Sequence, residues 1–332
     1  MNIAFAGTGY ISKIHAHAVQ ELGHQLVAVV NHKTDSMATF AAQFGIPRQY
    51  HTIEQLIVDG GVDAIVISTP NYLHAPQSIA ALQAGIAVMV EKPMALNAAE
   101  AQAMAHASTS TNTPLMVAHC WRFDEEVLWL KERVAQIGPI IRTKGLGVHA
   151  QWGPSGWFTQ KQYAGGGALV DMGVHAIDTV RFLLGDPQPT SVYATLGTHY
   201  TTHDVDDTGM LIITWQNGTS SFIESGWWQP HMDGPEAATQ LYGRHGLGSV
   251  FPTALTTIDA HTNDANRLEG GFVHPRDVHC PQQMYTAQMA YFVECVAHKR
   301  IPSPGIAEGL VNMRILDAAY ESALNGQVVH LS

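Results

Sequence analysis

Cysteine is scarce in this chain. The three present, Cys120, Cys280 and Cys295, are odd in number and scattered, which excludes a disulfide framework and points to free thiols in a reducing compartment, with cytoplasm as the default. Charge is thin as well, at 14% of residues, and it leans acidic: 17 Lys and Arg against 28 Asp and Glu give a net charge of −11. That balance argues against a nucleic-acid or anionic-membrane partner. No apolar run approaches the ~20 residues of a membrane span, and neither repeats nor low-complexity tracts interrupt the chain. Met1-Asn2 leads straight into an apolar stretch, leaving no room for the charged and apolar regions of a secretory leader. Histidine is plentiful at 19, yet no C-x-x-C or H-E-x-x-H spacing accompanies it, so no functional metal is expected. Asp171 with His175, and His279 beside Cys280, come nearest to a zinc-binding spacing.

What is plentiful is apolar sequence. With 332 residues, 46% of them hydrophobic, the chain is long enough for two separate cores, and its rhythm changes near residue 120. Up to there, short apolar runs at 3–6, 25–30, 64–68, 87–90 and 115–118 alternate with helical stretches whose ends are marked. Thr52 opens one, Gly45 follows another, and Asn97 with Glu100 has the form of a capping box. Such alternation predicts an α/β Rossmann-type domain with a doubly wound parallel sheet over residues 1–120. Beyond it, a helix over 124–137 is stopped by Gly138-Pro139. Strands without intervening helices follow at 140–150, 191–199, 208–215, 219–228 and 239–242, with Asn217-Gly218 a hairpin signal. Helices return over 284–297 and 308–324. Residues 121–332 are therefore expected to form an α+β domain with a large, mainly antiparallel sheet.

Three stretches of the first domain fall at carboxyl ends of strands, where open α/β sheets bind ligands. Gly7-Thr8-Gly9-Tyr10-Ile11-Ser12 follows a strand and opens a helix. In a G-x-G-x-x-G/A fingerprint the first glycine makes the tight turn, the second admits a pyrophosphate and a small third residue packs the helix; Ser12 stands in that third place. A tight turn without a ligand is the alternative. Where an acid would grip the ribose 2′-hydroxyl, about 20 residues on, the chain has Asn31-His32-Lys33. A carboxylate would repel a 2′-phosphate, whereas Asn31 tolerates it and His32 or Lys33 can pair with it. NADP is favoured on this ground, with NAD the alternative if Asn31 alone holds the ribose. Ser68-Thr69-Pro70-Asn71-Tyr72-Leu73-His74 offers Asn71 and His74 to ribose or nicotinamide, or is simply a turn and a helix start.

The third stretch is Ala87-Val88-Met89-Val90-Glu91-Lys92-Pro93-Met94, a buried strand that ends in an acid, a base and a proline. Pro93 biases Lys92 toward extended backbone, and an ammonium held at a strand end can polarise a bound oxygen. A surface lysine before a proline is the plainer alternative. In the second domain, residues 164–178 carry three glycines followed by a helix. Leu169, Met172, Ala176, Val180 and Leu183 form its apolar stripe, and Asp171, His175 and Asp178 line the opposite face at i, i+4 and i+7. That alignment suits catalysis and equally suits a solvated face. Gly173 costs roughly 1 kcal/mol against alanine inside a helix and indicates close approach of another backbone.

Together, the fingerprint, the Ser68-to-His74 turn, Glu91-Lys92-Pro93 and the A-G-G-G-x-L-x-D-x-G-x-H pattern from Ala164 to His175 resemble the Gfo/Idh/MocA oxidoreductases over nearly the whole chain. The resemblance implies a Rossmann domain followed by a domain whose sheet often builds homodimers or homotetramers. It implies hydride transfer between a nicotinamide cofactor, NADP or NAD, and a small-molecule sugar, inositol or related polyol. It also implies that Lys92 and His175 act on the substrate hydroxyl, with Asp171 positioning that pair or the substrate. An imidazole suits that proton near neutral pH, and an ammonium stabilises a developing alkoxide, so His175 is expected as acid/base and Lys92 as its polarising partner. Cofactor contacts are expected at Gly7, Thr8, Gly9, Tyr10, Ile11, Asn31, His32, Lys33, Ser68, Thr69, Pro70, Asn71, His74, Glu91 and Lys92. Substrate contacts are expected at Lys92, Arg122, Trp152, Trp157, Asp171 and His175. Arg122 is otherwise an interdomain salt bridge, and the tryptophans are otherwise sheet core or subunit interface. Two other functions fit the same frame: a glycosidase that oxidises its sugar transiently, and a cofactor-sensing binding protein without catalysis. A sensor has no need of both Lys92 and His175.

Overall fold

The structure, a computed structural model, describes residues 1–229, 236–259, 261–273 and 280–331. The chain divides into two compact units, Met1–Cys120 with Cys280–Met313 and Trp121–His279 with Arg314–Ser332. The expected division after residue 120 gave 280–313 to the second domain, but the structure packs that segment on the first. The helix Gln282–Ala297 buries Met284, Tyr285, Gln288, Met289 and Phe292, and it is tied to the helix Tyr10–Glu21 by Gln282 Nε2 donating to the Ile14 carbonyl (3.1 Å) and by Thr286 Oγ1 bonding to Glu21 (2.6 Å). Its sequence shows an apolar face and gives no sign of which sheet that face covers.

Among the described residues, the first unit holds six strands: β1 (Asn2–Ala6), β2 (Gln25–Val30), β3 (Arg48–Tyr50), β4 (Ala64–Ile67), β5 (Ala87–Val90) and β6 (Leu115–Val117). All pair in parallel, in the order β3-β2-β1-β4-β5-β6. The order reverses between β1 and β4, so a crevice opens at the carboxyl ends of those two strands. Both faces of β4 and β5 are covered, and every residue in them is buried, which is why they read as unbroken apolar runs. β3 was not anticipated: a three-residue polar strand at the sheet edge lacks an apolar signal. The marked helix ends hold. Thr52 and Gln55 form a reciprocal capping box, Gly45 closes the helix Thr34–Phe44 in the left-handed region, and Asn97 accepts from the Glu100 N–H (2.9 Å). Glu100 answers to the Leu96 N–H (3.2 Å), one residue earlier than a capping box requires.

The second unit holds β7 (Ile140–Val148), β8 (Pro189–Gly197), β9 (Thr208–Trp215), β10 (Ser220–Gly226), β11 (Ala237–Gly243), β12 (Gly246–Val250), β13 (Ala254–Ile258), β14 (Ala265–Glu269) and β15 (Val329–His330). They form a nine-stranded sheet in the order β14-β13-β12-β11-β7-β10-β9-β8-β15, antiparallel throughout the described pairs except between β7 and β10. The Asn217-Gly218 turn joins β9 to β10 with Ser220 opposite Thr214. β12 and β13 escaped sequence reading because they are short and rich in Gly or Thr, and β14 because it is short and exposed along its whole length. The helix Val174–Leu184 lies on one face, so close to β7 that a Cβ on Gly145 would sit 3.1 Å from Val180 Cγ2. The other face exposes Tyr193, Met210, Ile212 and Phe222, with Ile212 in register between Tyr193 and Phe222.

Candidate active site

In the first unit, the fingerprint turn is built as its glycines require. Gly7 has φ +105°, and a Cβ there would fall 2.5 Å from the Ser68 carbonyl oxygen, so no other residue fits. Gly9 opens the helix Tyr10–Glu21 without a side-chain cap, and a Cβ there would meet nothing within 4 Å. The protein's own packing thus gives no reason for glycine at that position. The approach of a dinucleotide phosphate does, and the turn fits one. Ser12 is fully buried and places its Oγ 2.8 Å from Ser68 Oγ, serving as the small third residue. Tyr10 leaves its ring 82% exposed beside the turn, and Ile11 is half-buried.

Asn31 turns toward this loop. Its amide donates to Thr8 Oγ1 and its carbonyl accepts from the Lys33 N–H (3.1 Å), while Thr8 Oγ1 also bonds Ser36 Oγ (2.6 Å). His32 and Lys33 are exposed at the end of β2. Thr69 bonds Gln77 (2.9 Å), Pro70 precedes a short 3-10 turn, and Asn71 is buried within it.

His74 departs from its expected role. It is buried, with Nδ1 2.8 Å from the Pro93 carbonyl and Nε2 2.8 Å from the Thr69 carbonyl, and burial lowers its pKa despite those two bonds. The ring clamps the Thr69 turn to the segment after Lys92; its nitrogens face protein, not ligand. Glu91 also points inward. Its Oε1 lies 2.7 Å from His15 Nε2 and its Oε2 accepts the Lys92 N–H at 3.2 Å. Burial pushes this carboxyl up, but the hydrogen bond and charge of His15, aided by Lys92, outweigh it and hold Glu91 below its usual range. Sequence reading missed His15, whose signal was a histidine within the buried stripe Ser12, His15, Ala16, Val19. Lys92 itself follows β5 and is half-buried.

In the second unit, the second and third of the three glycines admit protein. A Cβ on Gly167 would lie 1.8 Å from the Asp206 carbonyl, and one on Gly166 1.9 Å from the Tyr320 hydroxyl. Asp206 accepts from the Gly167 and Leu169 N–H groups (both 2.8 Å) and from the Tyr320 hydroxyl (2.6 Å), capping the helix start. Burial raises both Asp206 and Tyr320 above their usual values. Neither residue was singled out from sequence.

The helix then begins as a π-turn over Leu169–Gly173 before continuing as Val174–Leu184, an irregularity frequent at functional sites. Gly173 does not meet another backbone: a Cβ there would meet side chains, Leu169 Cδ1 at 2.7 Å and Ser225 Cβ of β10 at 3.0 Å. Asp171 accepts from Trp227 Nε1 (3.1 Å) and has His149 Nε2 at 3.8 Å. His149 in turn faces Glu236 (3.7 Å) and stacks on the half-exposed Trp152 (3.6 Å). His175 is 9% exposed, with its ring stacked on Trp121 at 4.8 Å and 25°. Trp157 stacks on Phe158 (3.8 Å). His279, expected beside Cys280, lies outside the described residues.

Asp178 and Arg122 are a correction. Asp178 does not face solvent and Arg122 does not face a ligand: both are buried, joined by Nε–Oδ2 and Nη2–Oδ1 bonds of 2.7 and 2.8 Å, and Arg122 also binds Asp186 at 2.6 and 3.0 Å. All three belong to the second unit, so the pair is not interdomain either. Burial alone would lower the guanidinium; the two carboxylates overcome it and raise its pKa.

A family model described as an oxidoreductase family with an NAD-binding Rossmann fold matches residues 1–119, and the Gfo/Idh/MocA C-terminal domain model matches residues 130–247. The chain is 27% identical to 1,5-anhydro-D-fructose reductase of Ensifer adhaerens, over 95% of this chain and 93% of that protein. It is 29% identical to D-xylose 1-dehydrogenase (NADP(+)) 2 of Haloferax volcanii, over 98% and 97%. Levoglucosan dehydrogenase, solved in complex with NADH and levoglucosan, superposes with a TM-score of 0.87 at 25% identity, covering 99% of each chain.

Proposed function

The chain belongs to the Gfo/Idh/MocA oxidoreductase family, and from that premise we propose an NAD(P)-dependent dehydrogenase that moves hydride between a sugar, inositol or polyol carbon and nicotinamide. The observation that carries this reading is the Gly7–Gly9 turn, whose open second glycine suits a phosphate and nothing in the protein. Relatives named for anhydrofructose, xylose and levoglucosan support the substrate class.

A bound nicotinamide would exchange the hydride; the remaining chemistry belongs to the chain. His175 takes the hydroxyl proton, its ring plane fixed against Trp121. Lys92 stabilises the developing alkoxide from the end of β5. Asp171, gripped by Trp227 and flanked by His149, orients the reacting pair. Accumulation of reduced nicotinamide with a panel of aldoses, inositols and sugar acids tests the reading. A transiently oxidising glycosidase would accumulate none.

Asn31 supports NADP, since no carboxylate there opposes a 2′-phosphate. One relative's name carries NADP(+) and another was solved with NADH, so the position is tested directly. Asn31→Asp should lower the ratio of kcat/KM for NADP to that for NAD by at least about tenfold, because juxtaposed like charges cost several kcal/mol. An unchanged ratio would remove Asn31 from cofactor choice.

The open sheet face with Tyr193, Ile212 and Phe222 supports pairing with a second copy of the chain. Ile212, 50% exposed, is the central position. Ile212→Lys should convert the oligomer to a monomer by light scattering, and an unchanged mass would place the interface elsewhere.

A further inference from the structure

We infer that Glu91, held by His15, is a positioning residue that keeps Lys92 in place and in its charged form; the inference rests on the proposed role of Lys92. Three observations in the first unit carry it.

The first is geometric. Glu91 uses both carboxylate oxygens: one on His15 Nε2 at 2.7 Å, the other on the Lys92 N–H at 3.2 Å. Its own N–H donates to the Ile67 carbonyl (2.8 Å), locking the end of β5 to β4. An ionised carboxylate only accepts, so His15 Nε2 is the donor. The second is burial. The His15 side chain has no exposure and Glu91 10%, so their charge interactions are weakly screened. A buried hydrogen-bonded carboxylate of this kind is a poor source of stability, which leaves its occurrence beside Lys92 in want of another reason.

The third is the company these groups keep. The other titratable groups that face this corner are His74 from the helix His74–Gln83, Cys120 after β6, Cys280, and Tyr285 from the helix Gln282–Ala297. Burial lowers His74, raises the Cys120 thiol and raises the Tyr285 phenol, so none of these three supplies a negative charge. Among these described groups Glu91 is the carboxylate, and its negative charge is what favours an ammonium on Lys92. His15 lies one and a half turns into the helix that begins at Gly9, so the same contact ties the phosphate turn to the lysine.

The sign of the effect is definite. Removing the Glu91 charge favours the free amine on Lys92, so the amine becomes more reactive and the alkaline limb of the pH–rate profile moves to lower pH. The test uses cofactor-free protein. Lys92 acetylation by an N-hydroxysuccinimide ester is followed by peptide mass spectrometry at neutral pH in wild type, Glu91→Gln, His15→Leu and His15→Gln. Glu91→Gln, which keeps shape and removes charge, should label Lys92 roughly tenfold faster, as expected for loss of a neighbouring opposite charge. His15→Leu should also label faster, because a Glu91 deprived of its donor shifts toward the neutral acid. It carries the test if Glu91→Gln fails to fold. His15→Gln, which keeps an N–H aimed at Glu91, should label as wild type does. Unchanged labelling in Glu91→Gln and His15→Leu would overturn the inference and reduce the pair to a packing contact. Because labelling uses neither substrate nor cofactor, it is separate from the Lys92→Ala turnover result that judges the role of Lys92 itself.

Discussion

Replacing His175 with alanine should lower kcat by roughly 10²–10⁴-fold, the contribution of a positioned general acid–base, while leaving cofactor affinity unchanged. His175 also stacks on Trp121, so alanine removes packing along with chemistry. His175→Gln separates the two, because it fills much of the space yet cannot take a proton at neutral pH; it should be as inactive as the alanine variant and more stable. Lys92→Ala should lose on the order of 10²–10³ in kcat, the scale of one preorganised donor to a developing oxyanion. Wild-type turnover in either variant, with the fold intact, would refute the assignment.

The second large effect is on stability. Arg122→Met should destabilise the protein by about 3–5 kcal/mol, because it strips the buried carboxylate of Asp178 of its two guanidinium bonds. Such a loss is a large part of the 5–15 kcal/mol that holds a typical domain together. Chemical denaturation checks it, as a fall in midpoint with an unchanged slope. The same variant, assayed where it remains folded, should keep its KM for substrate. A substrate contact would give the opposite result: a raised KM with the denaturation midpoint unmoved.

These two predictions differ in how far sequence reading could reach them. The parallel sheet was legible because β4 and β5 are buried on both faces and therefore apolar throughout, and because Thr52, Gly45 and Asn97 mark helix ends through local bonds. The glycine fingerprint was legible for the same reason, since turn geometry is set within a few residues. Long-range polar partners were not. Arg122 finds Asp178 across 56 positions, Gly167 finds Asp206 across 39, and His15 finds Glu91 across 76. A helical wheel could place Asp178 on the face of His175 but could not show that a guanidinium covers it. The π-turn over Leu169–Gly173 is likewise invisible to a wheel that assumes 3.6 residues per turn. The helix Gln282–Ala297 announced its apolar face and gave no hint that its partner lay in the first unit.

The roles of Asp206 and Tyr320 follow from the same limit. Three consecutive glycines signal that a ligand or a neighbouring strand comes close. The structure fills that space with the Asp206 backbone and the Tyr320 hydroxyl, so the glycines serve the start of the helix that carries Asp171 and His175.

The central claim is that Lys92 and His175 carry hydride-transfer chemistry on a sugar or polyol hydroxyl. Its most direct test is the rate of reduced-nicotinamide formation for wild type, Lys92→Ala and His175→Ala over a panel of aldoses, inositols and sugar acids with NADP and NAD, alongside cofactor binding by each protein. The account predicts a substrate-dependent rise in wild type that both variants lose while still binding cofactor. A rise that survives in either variant, or no rise with any substrate despite tight cofactor binding, would contradict it.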